Sequence, residues 1–470
     1  MKRRDFLTRV GVLATGVALT DSVSVASTLT GPAASCNIDA DEQIRVNIRG
    51  LKADVGRQLT AVIIGAGNRG RCYSGYARRY PDVLKIVGVS DILDDRKNAM
   101  GDLHDIPVDY RFGHYDEFLA RPKIADIAII STPDDRHYEL CMKALELGYD
   151  VLLEKPVAQT EKECRDILKQ ARKYNRIVGV CHVLRYAPYF IAVREMVQSG
   201  KIGDLVSIQH QEPIEFAHMA HSYVRGNWRS SKETTPIILA KSCHDLDILR
   251  WIVGKPCKSI SADGSLHLFK KENTPEGAPY RCTDGCPHES SCPFYAPQVY
   301  VKRKRHLGVF DLKNKKDEEE IMAKLIDSPY NRCVYQCDND QPDHYVVTMT
   351  FEGKETASFS MDAFTPWGGR RTRIMGTKGY IEGDGVTFSM YDFKTLKKSV
   401  WAMEVEEVEE YKGSGHGGGD YGVVRDFLEA VDMHDDKKLS STLEASIESH
   451  VMGFAAEKSR KSMKKVKIKM

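Results

Sequence analysis

The feature that most constrains the fold is Leu59-Thr60-Ala61-Val62-Ile63-Ile64, followed at once by Gly65-Ala66-Gly67-Asn68-Arg69-Gly70. A β-branched apolar run bounded by glycines predicts a buried strand and a tight turn. The stretch that follows, through Tyr80, is compatible with a helix opening straight from that turn. Strand, glycine turn and helix in this order leave backbone N–H groups unpaired at the helix start, where no side chain blocks an approaching phosphate.

The glycine pattern alone is a weak signal, but it has context. Leu84 to Val89 reads as the next strand and ends in Ser90-Asp91, which places Asp91 26 residues after Gly65. A carboxylate there accepts hydrogen bonds from a ribose 2′-hydroxyl and repels a 2′-phosphate, which favours NAD over NADP. Arg96 is a nearby cation that argues the other way, and Asp91 as a plain turn residue is the bland alternative. Ala125 to Ile130 reads as a third strand running into Ser131-Thr132-Pro133-Asp134, with a helix from His137 to Leu147. Strands alternating with helices predict a doubly wound parallel sheet. Ligands of such sheets sit beyond the carboxyl ends of the strands, so Thr132, Pro133 and His137 are expected to face the cofactor.

The 470 residues suit two ordinary domains, and 42% hydrophobic with 29% charged residues describes a protein with a real core. The formal charge of +2 is accounted for by four basic and two acidic residues among the first 26, so the rest is near neutral. That balance gives no support to nucleic-acid binding. The basic end, KSRKSMKKVKIKM, reads as a solvated tail.

The chain opens Lys2-Arg3-Arg4-Asp5-Phe6-Leu7, and an uncharged run extends from Val10 to Leu19. This run is about half of the ~20 residues needed to span a bilayer. With its paired arginines it resembles a twin-arginine export signal, which implies a periplasmic protein exported folded. Ala33-Ala34-Ser35-Cys36 is a weak lipobox, so a lipid anchor on Cys36 is one alternative to cleavage after a small residue.

The strand Asp150-Val151-Leu152-Leu153 runs into Glu154-Lys155-Pro156, placing the Lys155 ammonium at a carboxyl strand end; a surface lysine is the alternative. Together with the glycine turn (Gly65, Gly67, Asn68, Arg69, Gly70), Asp91 and Ser-Thr-Pro, this Glu-Lys-Pro resembles the glucose-fructose oxidoreductase/inositol dehydrogenase/MocA (Gfo/Idh/MocA) family. Lys241-Ser242-Cys243-His244-Asp245-Leu246-Asp247 is similar to that family's catalytic helix. The resemblance implies an N-terminal Rossmann domain and a C-terminal α+β domain with a large open sheet. It also implies that Lys155 and His244 flank the reacting carbon, with Glu154 and Lys155 near the cofactor. His244 would be the general base, and Asp247, one helical turn on, could orient its ring. Many relatives carry an acid four residues before the histidine; here that position is Ala240, and Lys241 lies three before, as a cationic contact to substrate or a helix-surface lysine.

Between the motifs lies a supply of polar and aromatic groups suited to a sugar ring: His182, Arg185, Tyr186, Glu212, His218, His221, Arg225 and Trp228. Later, Gly415-His416-Gly417-Gly418-Gly419-Asp420 resembles a segment of the NAD-dependent glycosidases of hydrolase family 109. His416 would then be a second proton donor or acceptor; a flexible helix start is the alternative. Cys282, Cys286 and Cys292, with Cys333 and Cys337, could form a structural zinc site, disulfides or free thiols.

Alternating runs such as Tyr345 to Phe351 predict half-buried strands, so the second domain's sheet is expected to be mainly antiparallel and to pair with a second copy in a homo-oligomer. The expected boundaries are 1–35 for the signal, 58–180 for the dinucleotide domain, 181–410 for the substrate domain, and 411–470 for closing helices and the basic tail. The function expected is an exported NAD-dependent oxidoreductase of a sugar, glycoside or cyclitol hydroxyl with a retained cofactor. An NAD-dependent glycoside-cleaving enzyme is the first alternative, and a non-catalytic sugar-binding protein the second.

Overall fold

The computed structural model describes residues 42–469, so the paired arginines, the uncharged run and Cys36 lie outside the described residues. After a two-residue strand β1 (Glu42–Gln43), the first sheet is built from β2 (Leu59–Ile64), β3 (Leu84–Ser90), β4 (Arg111–Phe112), β5 (Ile127–Ile130), β6 (Asp150–Leu153) and β7 (Val178–Val180). Its order is β4-β3-β2-β5-β6-β7 and every pairing is parallel. The continuous apolar runs are explained by burial on both faces: all four residues of β5 and of β6 are buried. The intervening helices are α1 (Asn68–Arg79), α2 (Asp94–Leu103), α3 (Tyr115–Leu119), α4 (His137–Glu146) and α5 (Glu161–Tyr174). The last is bounded by local chemistry, a reciprocal capping box between Thr160 and Glu163 at its start and left-handed Asn175 at its end.

The second sheet has ten strands in the order β1-β15-β14-β13-β12-β8-β11-β10-β9-β16. Its members are β8 (Leu205–Pro213), β9 (Cys257–Ser265), β10 (His344–Phe351), β11 (Thr356–Asp362), β12 (Arg371–Gly376), β13 (Gly379–Gly383), β14 (Phe388–Asp392), β15 (Lys398–Trp401) and β16 (Val466–Lys467), with β1 at one edge. The β8·β11 and β1·β15 pairings are parallel and the rest antiparallel. Along β10 the odd positions from Tyr345 to Phe351 are buried and the even ones more exposed, as period-two alternation requires of a sheet covered on one side.

Helices α6 (Pro188–Gln198), α7 (Phe216–Met219), α8 (Ile237–Ala240) and α9 (Cys243–Val253) precede β9, and α10 (Glu318–Ile326) lies in the long segment between β9 and β10. That segment packs a small core of its own around Tyr300, Phe310, Ile321 and Leu325. After α11 (Val405–Tyr411), α12 (Gly419–Met433) returns to the first sheet, where Val423, Val424, Phe427 and Leu428 join the core that holds Ile63, Val89 and Leu152. α13 (Leu443–Ser462) then joins the main core beneath the second sheet through Ile447, Val451 and Met452. The basic end differs from a free tail. Lys458 to Ser462 complete α13, Ser459 is buried with its hydroxyl bonded to Lys464 O, and Val466–Lys467 pair with β9. Sheet pairing satisfies the backbone of Val466–Lys467, and the lysine side chains remain exposed, as does Met463.

Candidate active site

At the end of β2 the chain turns through Gly65, whose φ is +92°; a Cβ there would lie 2.8 Å from the Ser131 carbonyl. A Cβ on Gly70 would meet Gly65 O at 2.1 Å, so the turn closes only with glycine at both places. Gly67 caps α1 without a side-chain acceptor, which leaves the helix's first N–H groups free for an anion. Asp91, at the tip of β3, accepts the Ala66 N–H at 2.7 Å and the Leu93 N–H at 2.9 Å. These residues open onto a cavity of about 570 Å³, also lined by Arg96, Tyr115, Thr132, Pro133 and Asn227. The Thr132 hydroxyl is buried without a hydrogen-bond partner. A glycine cradle that a Cβ would fill, a carboxylate at the ribose position and an unpaired hydroxyl together fit a nicotinamide dinucleotide. His137 is turned inward instead: its ring nitrogens lie 2.7 Å from Pro156 O and 3.0 Å from Thr132 O, so it braces two strand ends.

Arg69 joins three motifs that lie far apart in the chain. Its Nε donates to Glu154 Oε1 at 2.6 Å and its Nη2 to Asp420 Oδ1 at 2.7 Å. Glu154 also accepts from Tyr73 at 2.5 Å and from the Lys155 N–H at 2.8 Å. Burial alone would raise the Glu154 carboxyl's pKa, but Arg69 and Lys155 outweigh it and hold the group below its ordinary value. Asp420 is held well below the usual carboxylate range, because His416 and Arg69 outweigh its burial. His416 Nδ1 lies 2.9 Å from Asp420 Oδ1, four residues along. Asp420 was not among the expected site residues, although the His416 to Asp420 spacing is a readable helical-turn signal.

The two expected catalytic groups meet at the start of α9. Lys155 Nζ donates to Ala240 O at 2.8 Å, so the position that lacks the relatives' acid contributes its carbonyl. His244 is buried, and its Nδ1 has no hydrogen-bond partner. Burial first, then the neighbours Lys155, His416, His182 and Arg370, push its pKa well below the ordinary histidine value. Its ring centre is 6.1 Å from that of His182 and 6.0 Å from that of His416. Both imidazoles therefore lie close to His244.

Asp247 does not orient His244. Its Oδ1 lies 2.7 Å from His182 Nδ1, and Arg185 grips both carboxylate oxygens at 2.6 and 2.7 Å. A guanidinium offers a bidentate charged pair that a neutral imidazole cannot match, so the carboxylate turns to Arg185. His182 stacks on His450 with ring centres 5.4 Å apart. Asp247 thus lies against His182, whose ring is inclined by 65° to that of His244.

The remaining expected substrate contacts divide. Lys241 Nζ lies 3.1 Å from Glu212, which is 2.8 Å from Arg370; Arg370 in turn donates to Asp245 at 2.6 Å. Arg370 stands in the loop before β12, and no local motif marks it. Tyr186 is buried against Ser441, accepting its N–H at 3.0 Å. Arg225 donates to Arg332 O and Phe294 O at 2.6 and 2.7 Å, tying down the segment between β9 and β10. His221 is stacked between His306 and Tyr330, at 4.5 and 4.6 Å. Half-buried Trp228 packs near Tyr223. Of the eight, His182, His416 and Lys241 sit around the start of α9, Arg185 and Tyr186 behind it, and His221, Arg225 and Trp228 serve packing.

Cys282, Cys286, Cys292 and Cys333 do surround one small cavity, of about 20 Å³, which Phe294 and Tyr335 also line. Among the described residues every cysteine is a free thiol, and no group of three or more histidine, cysteine or acidic side chains is placed to hold a metal ion. The zinc and disulfide expectations are therefore corrected. Burial raises the Cys292 and Cys333 thiols, keeping them protonated as small apolar packing groups.

A Rossmann cradle joined to a lysine and a neutral histidine defines an NAD-binding oxidoreductase. Comparison with known families agrees: residues 59–182 match "Oxidoreductase family, NAD-binding Rossmann fold", and residues 194–468 match "Oxidoreductase family, C-terminal alpha/beta domain". The chain belongs to the Gfo/Idh/MocA oxidoreductase family. It is 25% identical over 392 residues to a Bacillus subtilis protein named as an oxidoreductase, YteT, covering 78% of this chain and 88% of that one. An inositol 2-dehydrogenase of Serratia proteamaculans is 30% identical over 209 residues, 43% of this chain and 56% of that enzyme. Among solved structures, a levoglucosan dehydrogenase in complex with NADH and levoglucosan shares the fold, with a TM-score of 0.65, 15% identity, and coverage of 88% of this chain and 100% of that one.

Proposed function

We propose that the protein oxidises a hydroxyl of a sugar, glycoside or cyclitol, retaining NAD between turnovers. The observation that carries this reading is the meeting of Lys155 with a buried, neutral His244 beyond the strand ends of the dinucleotide sheet. NAD, when bound, would supply the two-electron acceptor for the hydride of the carbon whose hydroxyl becomes a carbonyl. His244 takes the hydroxyl proton, and the Lys155 ammonium stabilises the oxygen as that proton leaves. Arg69, through Glu154, fixes the strand end from which Lys155 projects. The cyclitol and anhydrosugar dehydrogenases among the relatives support the substrate class. Export by the paired-arginine segment belongs with a retained cofactor, and the open face of the ten-stranded sheet is where we place a second copy.

The test is reduction of bound NAD by hexoses, inositols, anhydrosugars and aryl glycosides, followed by nicotinamide fluorescence. At least one class is expected to react, and His244→Ala should lose at least ~10²-fold in turnover while still binding NAD. Wild-type turnover in that variant would overturn the base assignment.

His416 favours a second reading, glycoside cleavage. It is a second imidazole beside His244, with a side chain 41% exposed and held by Asp420. Oxidation of one sugar carbon acidifies the neighbouring C–H, and a second base could remove that proton to expel the aglycone. Solvent deuterium appearing at that carbon together with aglycone release, both lost in His416→Ala, would establish it. Oxidation without either would leave the dehydrogenase reading.

A further inference from the structure

Arg96 lines the dinucleotide cavity together with Asp91, the two groups of opposite meaning for a ribose 2′-substituent. Its guanidinium is already engaged, and by a residue 215 positions away. Arg96 Nε lies 3.1 and 3.0 Å from the two carboxylate oxygens of Asp311, and Nη2 lies 2.8 Å from Oδ2. Asp311 belongs to the segment between β9 and β10, and its backbone φ is +46°, a conformation that few residues other than glycine adopt. Aspartate is one of the few that tolerate it, and here the carboxylate faces a cation. The same segment touches the glycine turn directly: a Cβ on Gly308 would lie 2.7 Å from the Asn68 side chain. Arg71, on α1, approaches Asp311 at 3.8 Å. The pair is three-quarters buried, with side-chain exposures of 23% and 24%, so solvent screens it less than a surface pair. Arg96 Nη1 makes none of these bonds, and it stands 3.7 Å from where a Cβ on Gly67 would be. The cation is thus at the pocket wall, with its charge answered by Asp311 from outside the Rossmann domain.

We propose that Asp311 is a specificity-determining residue of the dinucleotide site: by pairing with Arg96 it withholds that guanidinium from a 2′-phosphate and makes the site select NAD over NADP. It is a positioning residue that acts through Arg96. The inference rests on the reading of this cavity as the NAD site. Asp91 repels a 2′-phosphate on its own, but an unpaired arginine beside it would offset that repulsion with a charge-assisted bidentate contact. Asp311 removes the offset. A free guanidinium could fold onto the phosphate, whereas a clasped one cannot without breaking a pair between domains.

The experiment is calorimetric titration of the full chain, freed of co-purifying nucleotide, with NAD and with NADP. In Asp311→Asn the ratio of NADP to NAD affinity should rise by ~10-fold or more, about the worth of one charge-assisted contact. Asp311→Glu should keep the wild-type ratio. The gain should vanish in Asp311→Asn combined with Arg96→Ala, and should shrink with added salt. A ratio unchanged in Asp311→Asn, or a gain that persists without Arg96, overturns the proposal. If Asp311→Asn fails to fold, Arg96→Ala alone decides: a ratio within about threefold of wild type agrees with a masked arginine, and a fall of ~10-fold in NADP affinity overturns it. A wild-type protein that binds neither nucleotide would instead overturn the dinucleotide reading on which this one rests.

Discussion

His244 keeps an unpartnered Nδ1 inside the protein, and its neutrality follows from burial first and from Lys155, His416 and His182 second. A histidine held neutral stays a proton acceptor on the acid side of its ordinary pKa of ~6.5. Histidine titration by NMR should therefore place the His244 ring well below that value, and Lys155→Met, by removing a positive neighbour, should raise it. A ring that titrates normally in both proteins would remove the electrostatic basis of the base assignment. Asp247 makes a different prediction. Its carboxylate lies well below the usual range because Arg185 and His182 outweigh its burial. Asp247→Ala leaves Arg185 buried and unpaired, a loss of ~3–5 kcal/mol on chemical denaturation. Arg185→Leu in the same protein should recover part of it. Lys155 and His244 were legible because each sits in a short motif whose local structure is nearly obligatory. The partner of Asp247 was not, because helical spacing offered His244 while the stronger pairing came from Arg185, 62 residues back.

The glycine turn between β2 and α1 was readable to the residue, since a strand and a helix so close together leave the backbone one path. Gly65→Ala places a Cβ against the Ser131 carbonyl at φ +92°, and is expected to weaken NAD binding by ~10-fold or more while the fold persists. Undiminished NAD affinity in that variant would mean the cradle lies elsewhere. The segment between β9 and β10 was far less legible. Its cysteine spacing suggested a metal or disulfides, whereas its core is apolar and aromatic, around Tyr300, Phe310 and Tyr330. His221 belongs to that core. Burial, then His306 and Arg225, lower its pKa to about 3, against ~6.5 unfolded. Between those values the unfolded chain binds the extra proton, so the stability contributed by a neutral His221 is complete above pH ~6.5 and is lost as pH falls toward 3. Melting temperatures measured from neutral to mildly acidic pH should fall less steeply in His221→Phe than in the wild type. Equal slopes would contradict a neutral buried ring.

On the scale of the whole molecule, the site is assembled by contacts that no local pattern announces. Arg69 of the dinucleotide turn reaches Asp420 across 351 residues, and α12 returns to pack on the first sheet. Arg370 and Asp311 also arrive from distant segments, with no motif around them, because what selects them is a charge to be answered in three dimensions. The fold class was legible from strand periodicity and family resemblance; the wiring between domains depends on tertiary geometry alone. We propose that this assembly holds NAD as a working part of the protein. The most direct test is to purify the chain without added nucleotide, denature it, and quantify by mass spectrometry what is released. Near-stoichiometric NAD or NADH is the result predicted. A protein that releases no nucleotide and fails to bind added NAD would contradict it.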